Sequence, residues 1–115
     1  MREQIYIASP YSAKYEWQVR NNVKKAVEAA VHIMEKGHYA FIPHLYYFVD
    51  NYANSLSKRF NYEWYLKQDI SFLERWATGI LVVSRSPGVD KEIEVAKNIG
   101  IKIYSSLDDI AKAED

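Results

Sequence analysis

The stretch ILVVSRSPGVDKEIEVAKNIGIKI, residues 80–103, decides the fold. Ile80-Leu81-Val82-Val83 is a continuous apolar run, the pattern of a strand buried on both faces of a parallel sheet. Pro87-Gly88 then makes a tight turn within 84–90. From about residue 90 to residue 99 the apolar positions Ile93, Ala96 and Ile99 recur at helical spacing, and Gly100 stands where a glycine ends a helix. Residues 101–104 read as a further strand. Strand, turn, helix and strand in this order form a βαβ unit, whose right-handed crossover makes its strands parallel.

Working outward, the rest of the chain repeats the alternation. Residues 4–8 read as a short buried strand, broken by Ser9-Pro10-Tyr11-Ser12. A long helix follows over 16–35, with Val19, Val23, Ala26, Val27, Ala30, Ile33 and Met34 on one stripe and Gly37 after its end. Residues 39–42 are a second strand closed by Pro43, 45–58 an irregular helix, 62–76 a regular one, and 107–113 a short closing helix. The expected fold is a single α/β domain over 1–115, a small Rossmann-like or flavodoxin-like parallel sheet of about four strands with helices on both faces. Such sheets bind ligands beyond the carboxyl ends of their strands, near the point where strand order switches. That rule selects three loops: 9–12, 43–44 and 84–90.

Composition narrows the partners. Fifteen basic residues balance fifteen acidic ones, and no polybasic tract offers a surface to nucleic acid or to a membrane. With no cysteine there is neither disulfide framework nor thiolate chemistry, and His32, His38 and His44 lack zinc-ligand spacing. The start has no signal-peptide pattern, and no apolar run is long enough to span a bilayer. A cytoplasmic protein is the expectation. Many of the ten tyrosines fall in 39–65, where ring and hydroxyl suit an interface or the wall of a polar pocket.

The three loops carry the candidate chemistry. The helix after Gly88 opens with unsatisfied N–H groups, which attract anions, and Ser86 beside it adds a hydroxyl. Glu92 falls in the first turn or so, where the helix dipole favours the ionised form of a nucleophile or of a group that stabilises an oxocarbenium ion. It also suits an ordinary helix start, where acidic residues are common. Asp69 shares a helix face with Tyr65, Phe72 and Trp76. A carboxylate on an aromatic stripe is costly to bury without a partner, and desolvation raises its pKa towards that of a general acid; on a half-buried face it simply reaches water. Ser9 and Tyr11 lie beyond the first strand and suit ligand contacts, Tyr6 suits either core or site, and His44 after Pro43 suits pocket wall or local hydrogen bond. Arg20 reaches a phosphate only if the start of the long helix faces the cleft.

Taken together, IYIASPYS at 5–12, VRNNV at 19–23, GHYAFIPHL at 37–45, DISFL at 69–73 and SPGVDKEIEVAKNIGIKI at 86–103 resemble, in order, the nucleoside 2-deoxyribosyltransferase-like superfamily. The nearest likeness is to its short branch, which includes deoxynucleoside-monophosphate N-glycosidases. The resemblance implies a Rossmann-like domain that cleaves the N-glycosidic bond of a nucleotide or nucleoside without metal or organic cofactor. It implies Glu92 as nucleophile, Asp69 as the group that assists base departure, Tyr6 at the active site, and Ser86, with Gly88 beside it, at the 5′-phosphate. It also implies a homodimer or larger assembly in which a neighbouring subunit helps close each site. Here Ser9-Pro10-Tyr11-Ser12 stands where the nucleotide N-glycosidases often carry a glycine-rich stretch. A nucleotide-binding module without catalysis and an NAD-cleaving glycohydrolase are the alternatives; the Asp69–Glu92 pair favours an enzyme.

Overall fold

The computed structural model describes residues 1–114. Four strands, β1 (Gln4–Ala8), β2 (Tyr39–Phe41), β3 (Gly79–Val82) and β4 (Lys102–Tyr104), form one parallel sheet in the order β2-β1-β3-β4. In register, Gln4 faces Tyr39, Ile5 faces Gly79 and Gly79 faces Lys102. Four helices connect or flank them: α1 (Glu16–Glu35), α2 (Tyr46–Ser55), α3 (Tyr62–Arg75) and α4 (Pro87–Ile99). The parallel α/β sheet is the one the alternating pattern predicts, and its strand order is that of the flavodoxin-like doubly wound sheet.

β1 is buried on both sides, and its side chains alternate between two cores. Ile5 and Ile7, with Leu81 of β3, pack under Ala26, Ala30 and Ile33 of α1. Tyr6 and Ala8, with Ile80, pack against Leu73 of α3 and Val89, Ile93 and Ala96 of α4. Helix starts are set locally. Asn61 Oδ1 accepts from Trp64 N–H at 2.9 Å to begin α3, and Ser86 Oγ accepts from Val89 N–H at 3.2 Å to begin α4. Gly100, at φ +78°, takes the left-handed turn that ends α4.

Three expected bounds are corrected. α4 begins at Pro87 rather than near residue 90, because Ser86 caps it and proline fits the first helical position. The irregular helix divides into a 3-10 turn at Pro43–Leu45 and α2, which stops at Ser55. The closing helix is only a 3-10 turn, Leu107–Asp109. The end of α1 meets the needs of that segment's backbone: Lys36 Nζ donates to the carbonyls of Leu107 (2.6 Å) and Ile110 (2.7 Å), and Ala113 N–H donates to the Lys36 carbonyl at 2.7 Å. His38 Nε2 pairs with the Ala111 carbonyl at 2.7 Å. Groups satisfied across the chain have no need of a helix. Among the described residues no helix is long and apolar enough to cross a membrane.

Candidate active site

From β1 the chain passes through α1 to β2 on one side of β1, while β3 pairs on its other side. The segments leaving β1 and β3 therefore diverge, and a crevice opens at the carboxyl edge between them. It is a cavity of about 500 Å³, within the range of small-molecule sites. All three loops selected from the sequence reach it, contributing Ser9 and Tyr11, Pro43 and His44, and Ser86 and Gly88. Asp69 and Glu92 line it as well.

Glu92 lies in the second turn of α4, not at its start; the first turn carries Asp90, whose Oδ1 pairs with Arg85 Nε at 2.7 Å. The helix dipole fades beyond the first turn, so burial governs Glu92. It is 8 % exposed, and its pKa rises to about 8. Desolvation is the largest cause; the hydrogen bond from Tyr6 pulls the other way and the Asp69 charge adds to the rise. The expectation that the dipole would hold Glu92 ionised is thus corrected. Tyr6 is fully buried between the sheet and α4, and its hydroxyl donates to Glu92 Oε2. Burial first, then the two carboxylates, keep that hydroxyl protonated, with its pKa well above the ordinary value. Tyr6 reaches the site through Glu92, since it is not part of the cavity wall.

Asp69 occupies the inner face of α3, one turn beyond Tyr65 and one turn before Phe72. Phe72 stacks on Phe41 at 4.3 Å between ring centroids, and Trp76 meets the same ring at 6.2 Å. Burial desolvates the Asp69 carboxyl and pushes its pKa up to about 7. Asp69 Oδ1 is buried with no hydrogen-bond partner. Two acidic groups that hold protons near neutral pH in one cavity form a coupled pair, suited to proton transfer.

His44 is 3 % exposed, and its Nε2–H donates to the Ser9 carbonyl at 2.8 Å. Burial lowers its pKa, so the ring is neutral and Nδ1 is a bare acceptor without a partner. The ring pins the loop after β1, and Asn22 Nδ2 holds the same loop by donating to the Tyr11 carbonyl at 3.0 Å. Tyr11 keeps its phenol proton, with a pKa of about 12 set by burial and then by Asp50. At α4 the anion-binding donors are fewer than the sequence suggests. Pro87 has no N–H, Val89 N–H is taken by Ser86 Oγ, and Asp90 N–H by the Ser86 carbonyl at 2.8 Å. The Gly88 N–H and the Ser86 hydroxyl proton remain. A Cβ at Gly88 would stand 3.3 Å from the Tyr62 hydroxyl, so a larger residue would crowd this wall.

Sequence reasoning missed Asp50, Tyr62 and Tyr65, which line the cavity from α2 and α3. The density of tyrosine in 39–65 was the signal for the two tyrosines, without singling out positions, and Asp50 had none. Arg20 is exposed on α1 and does not line the cavity.

Residues 3–106 match DUF7768, a domain of unknown function, and the chain belongs to that family. The matched span contains α1–α4, β1–β4 and the whole cavity wall. No curated protein matches the chain.

Proposed function

We propose that this protein is an N-glycosidase that cleaves a nucleotide or deoxynucleotide by a retaining route, with transfer to a second base as a variant. The observation that carries the proposal is the pair of carboxyl groups, Asp69 near 7 and Glu92 near 8, in one cavity at the sheet's switch point, with the Tyr6 hydroxyl on Glu92. Glu92 attacks C1′ as the C1′–N bond breaks, and the departing base takes the Asp69 proton. Water then attacks C1′, gives its proton to Asp69 and releases Glu92. Tyr6 favours the ionised form of Glu92, yet Glu92 still holds its proton to about 8 and Asp69 to about 7, so the reactive form, with the one shared proton on Asp69, is the minor one of the pair. The Ser86 hydroxyl and Gly88 N–H receive the 5′-phosphate, while Ser9, Tyr11 and His44 shape the sugar's surroundings. The step calls on no metal or cofactor.

Among the exposed apolar side chains of α2 and the start of α3, Phe48, Tyr52 and Trp64 are each more than half exposed. We assign them to a homodimer interface beside the cavity, in a cytoplasmic protein. A nucleotide-binding module without catalysis is the second reading, favoured by the burial that holds Glu92 protonated at neutral pH.

Incubation with a panel of ribo- and deoxyribonucleotides and NAD, with methanol as acceptor, separates these possibilities. The proposal expects free base and a methyl glycoside of the original anomeric configuration. Binding without release of base selects the module, an inverted glycoside rules out the nucleophile, and release of nicotinamide alone selects the NAD-cleaving alternative.

A further inference from the structure

We propose that Asp50 reads the nucleobase: it forms a carboxylate subsite that favours bases with an amino group, guanine above all, over uracil and thymine. The inference rests on the nucleotide-cleaving reading above and names the substrate class of the same cavity.

Asp50 reaches the cavity from α2, a helix that buries little else but Ala53. Its Oδ1 accepts from the Tyr65 hydroxyl at 3.1 Å, which restrains the carboxylate at one oxygen. Among the described residues neither a cation nor any other donor pairs with it. Tyr65 and Tyr11, both beside Asp50, keep their phenol protons, their pKa values raised to about 12 mainly by burial. They are therefore neutral rings on the same wall, suited to stacking on a flat heterocycle. A half-buried carboxylate with spare lone pairs and no cation, set among aromatic rings, has acceptor capacity for a ligand to fill.

Charge then orients the substrate. The phosphate is repelled by Asp50 and drawn to the start of α4, where the Gly88 N–H is free. Lys91 adds a positive charge there, with its Nζ 5.5 Å from the centroid of the Tyr62 ring. The base is the part left to meet Asp50. A carboxylate only accepts hydrogen bonds. Guanine offers it two adjacent N–H donors, on N1 and the exocyclic amine. Adenine and cytosine offer one amino group beside a ring acceptor. Uracil and thymine offer a single N–H between two carbonyl oxygens, both of which repel a carboxylate.

The test measures kcat/KM for base release from dGMP, dAMP, dCMP, dUMP and dTMP, and Kd by calorimetry. It uses the wild-type protein, Asp50→Asn and Tyr65→Phe, each checked for fold by circular dichroism. The wild type is expected to prefer dGMP over dUMP by about tenfold or more, the discrimination that a paired carboxylate gives. Asp50→Asn should reduce that ratio about tenfold, because its amide can donate to a carbonyl. Tyr65→Phe frees the carboxylate to rotate and should reduce the ratio less, in the same direction. It stands in for Asp50→Asn should that variant not fold. A wild-type preference for dUMP or dTMP, or a base ranking unchanged in both variants while cleavage persists, overturns the role of Asp50 and leaves the N-glycosidase standing. Absence of both binding and cleavage for every nucleotide overturns both.

Discussion

Glu92 shows how much burying a single carboxyl costs. In the unfolded chain it ionises near its ordinary value of 4.5; in the fold it holds its proton until about pH 8. Between those values the folded protein binds a proton that the unfolded chain has lost, so stability falls as pH rises through that window and levels off above it. Glu92→Gln keeps the size and the Tyr6 hydrogen bond but removes the titration. Thermal melts should show no gain over wild type near pH 4.5 and a gain on the order of 2 to 4 kcal/mol above pH 8. A constant difference across pH would count against burial as the cause. Tyr6→Phe removes the bond that favours ionised Glu92. The pH profile of kcat/KM, a bell between about 7 and about 8 for the coupled pair, should fall in height, with its alkaline limb moved up by about one unit and its acid limb unchanged. A profile that drops without moving would make Tyr6 merely structural. The sequence marked Glu92 but placed it under the helix dipole. In the fold it meets Tyr6, more than eighty residues away in the chain, and local pattern cannot convey such a contact.

At the scale of elements, α4 combines two tasks in Ser86, which caps the helix through Val89 N–H and stands at the cavity. Ser86→Ala loses both, at about 1 kcal/mol of stability for the cap. Ser86→Asp separates them: an aspartate caps as well but repels a phosphate. Calorimetry should find its nucleotide affinity reduced about tenfold or more with nucleoside affinity and melting temperature nearly unchanged. Equal losses for both ligands would remove the phosphate from this helix start. Elements with strong local signals were legible: the apolar run of β3, the stripe of α1, and the glycine after α4. The closing segment was not. Its apolar spacing suits a helix, but Lys36 and His38, distant in sequence, take its carbonyls. Lys36→Met should therefore loosen 107–113 and speed hydrogen exchange there, at about 1 to 3 kcal/mol of stability, with exchange in α4 little changed. Unaltered exchange in the tail would show that the lysine does not hold it.

For the whole molecule, the parallel α/β sheet was readable from the alternation of elements; the strand order, from which the cavity's place follows, is seen only in the fold. The far wall was not readable: Asp50 on α2 and Tyr65 on α3 meet only in the fold, through a contact that local pattern does not convey. Those helices leave Phe48, Tyr52 and Trp64 exposed. Sedimentation should therefore find a dimer at micromolar concentration, and Phe48→Glu should yield a folded monomer. A wild-type monomer at high micromolar concentration would contradict this. The catalytic proposal stands or falls on Glu92. Single-turnover release of free base from the preferred nucleotide, compared between the wild type and Glu92→Gln, tests it most directly. The variant should bind the nucleotide within a few-fold of wild type yet release base several orders of magnitude more slowly. Release at the wild-type rate would contradict the nucleophile, and with it the proposed reaction.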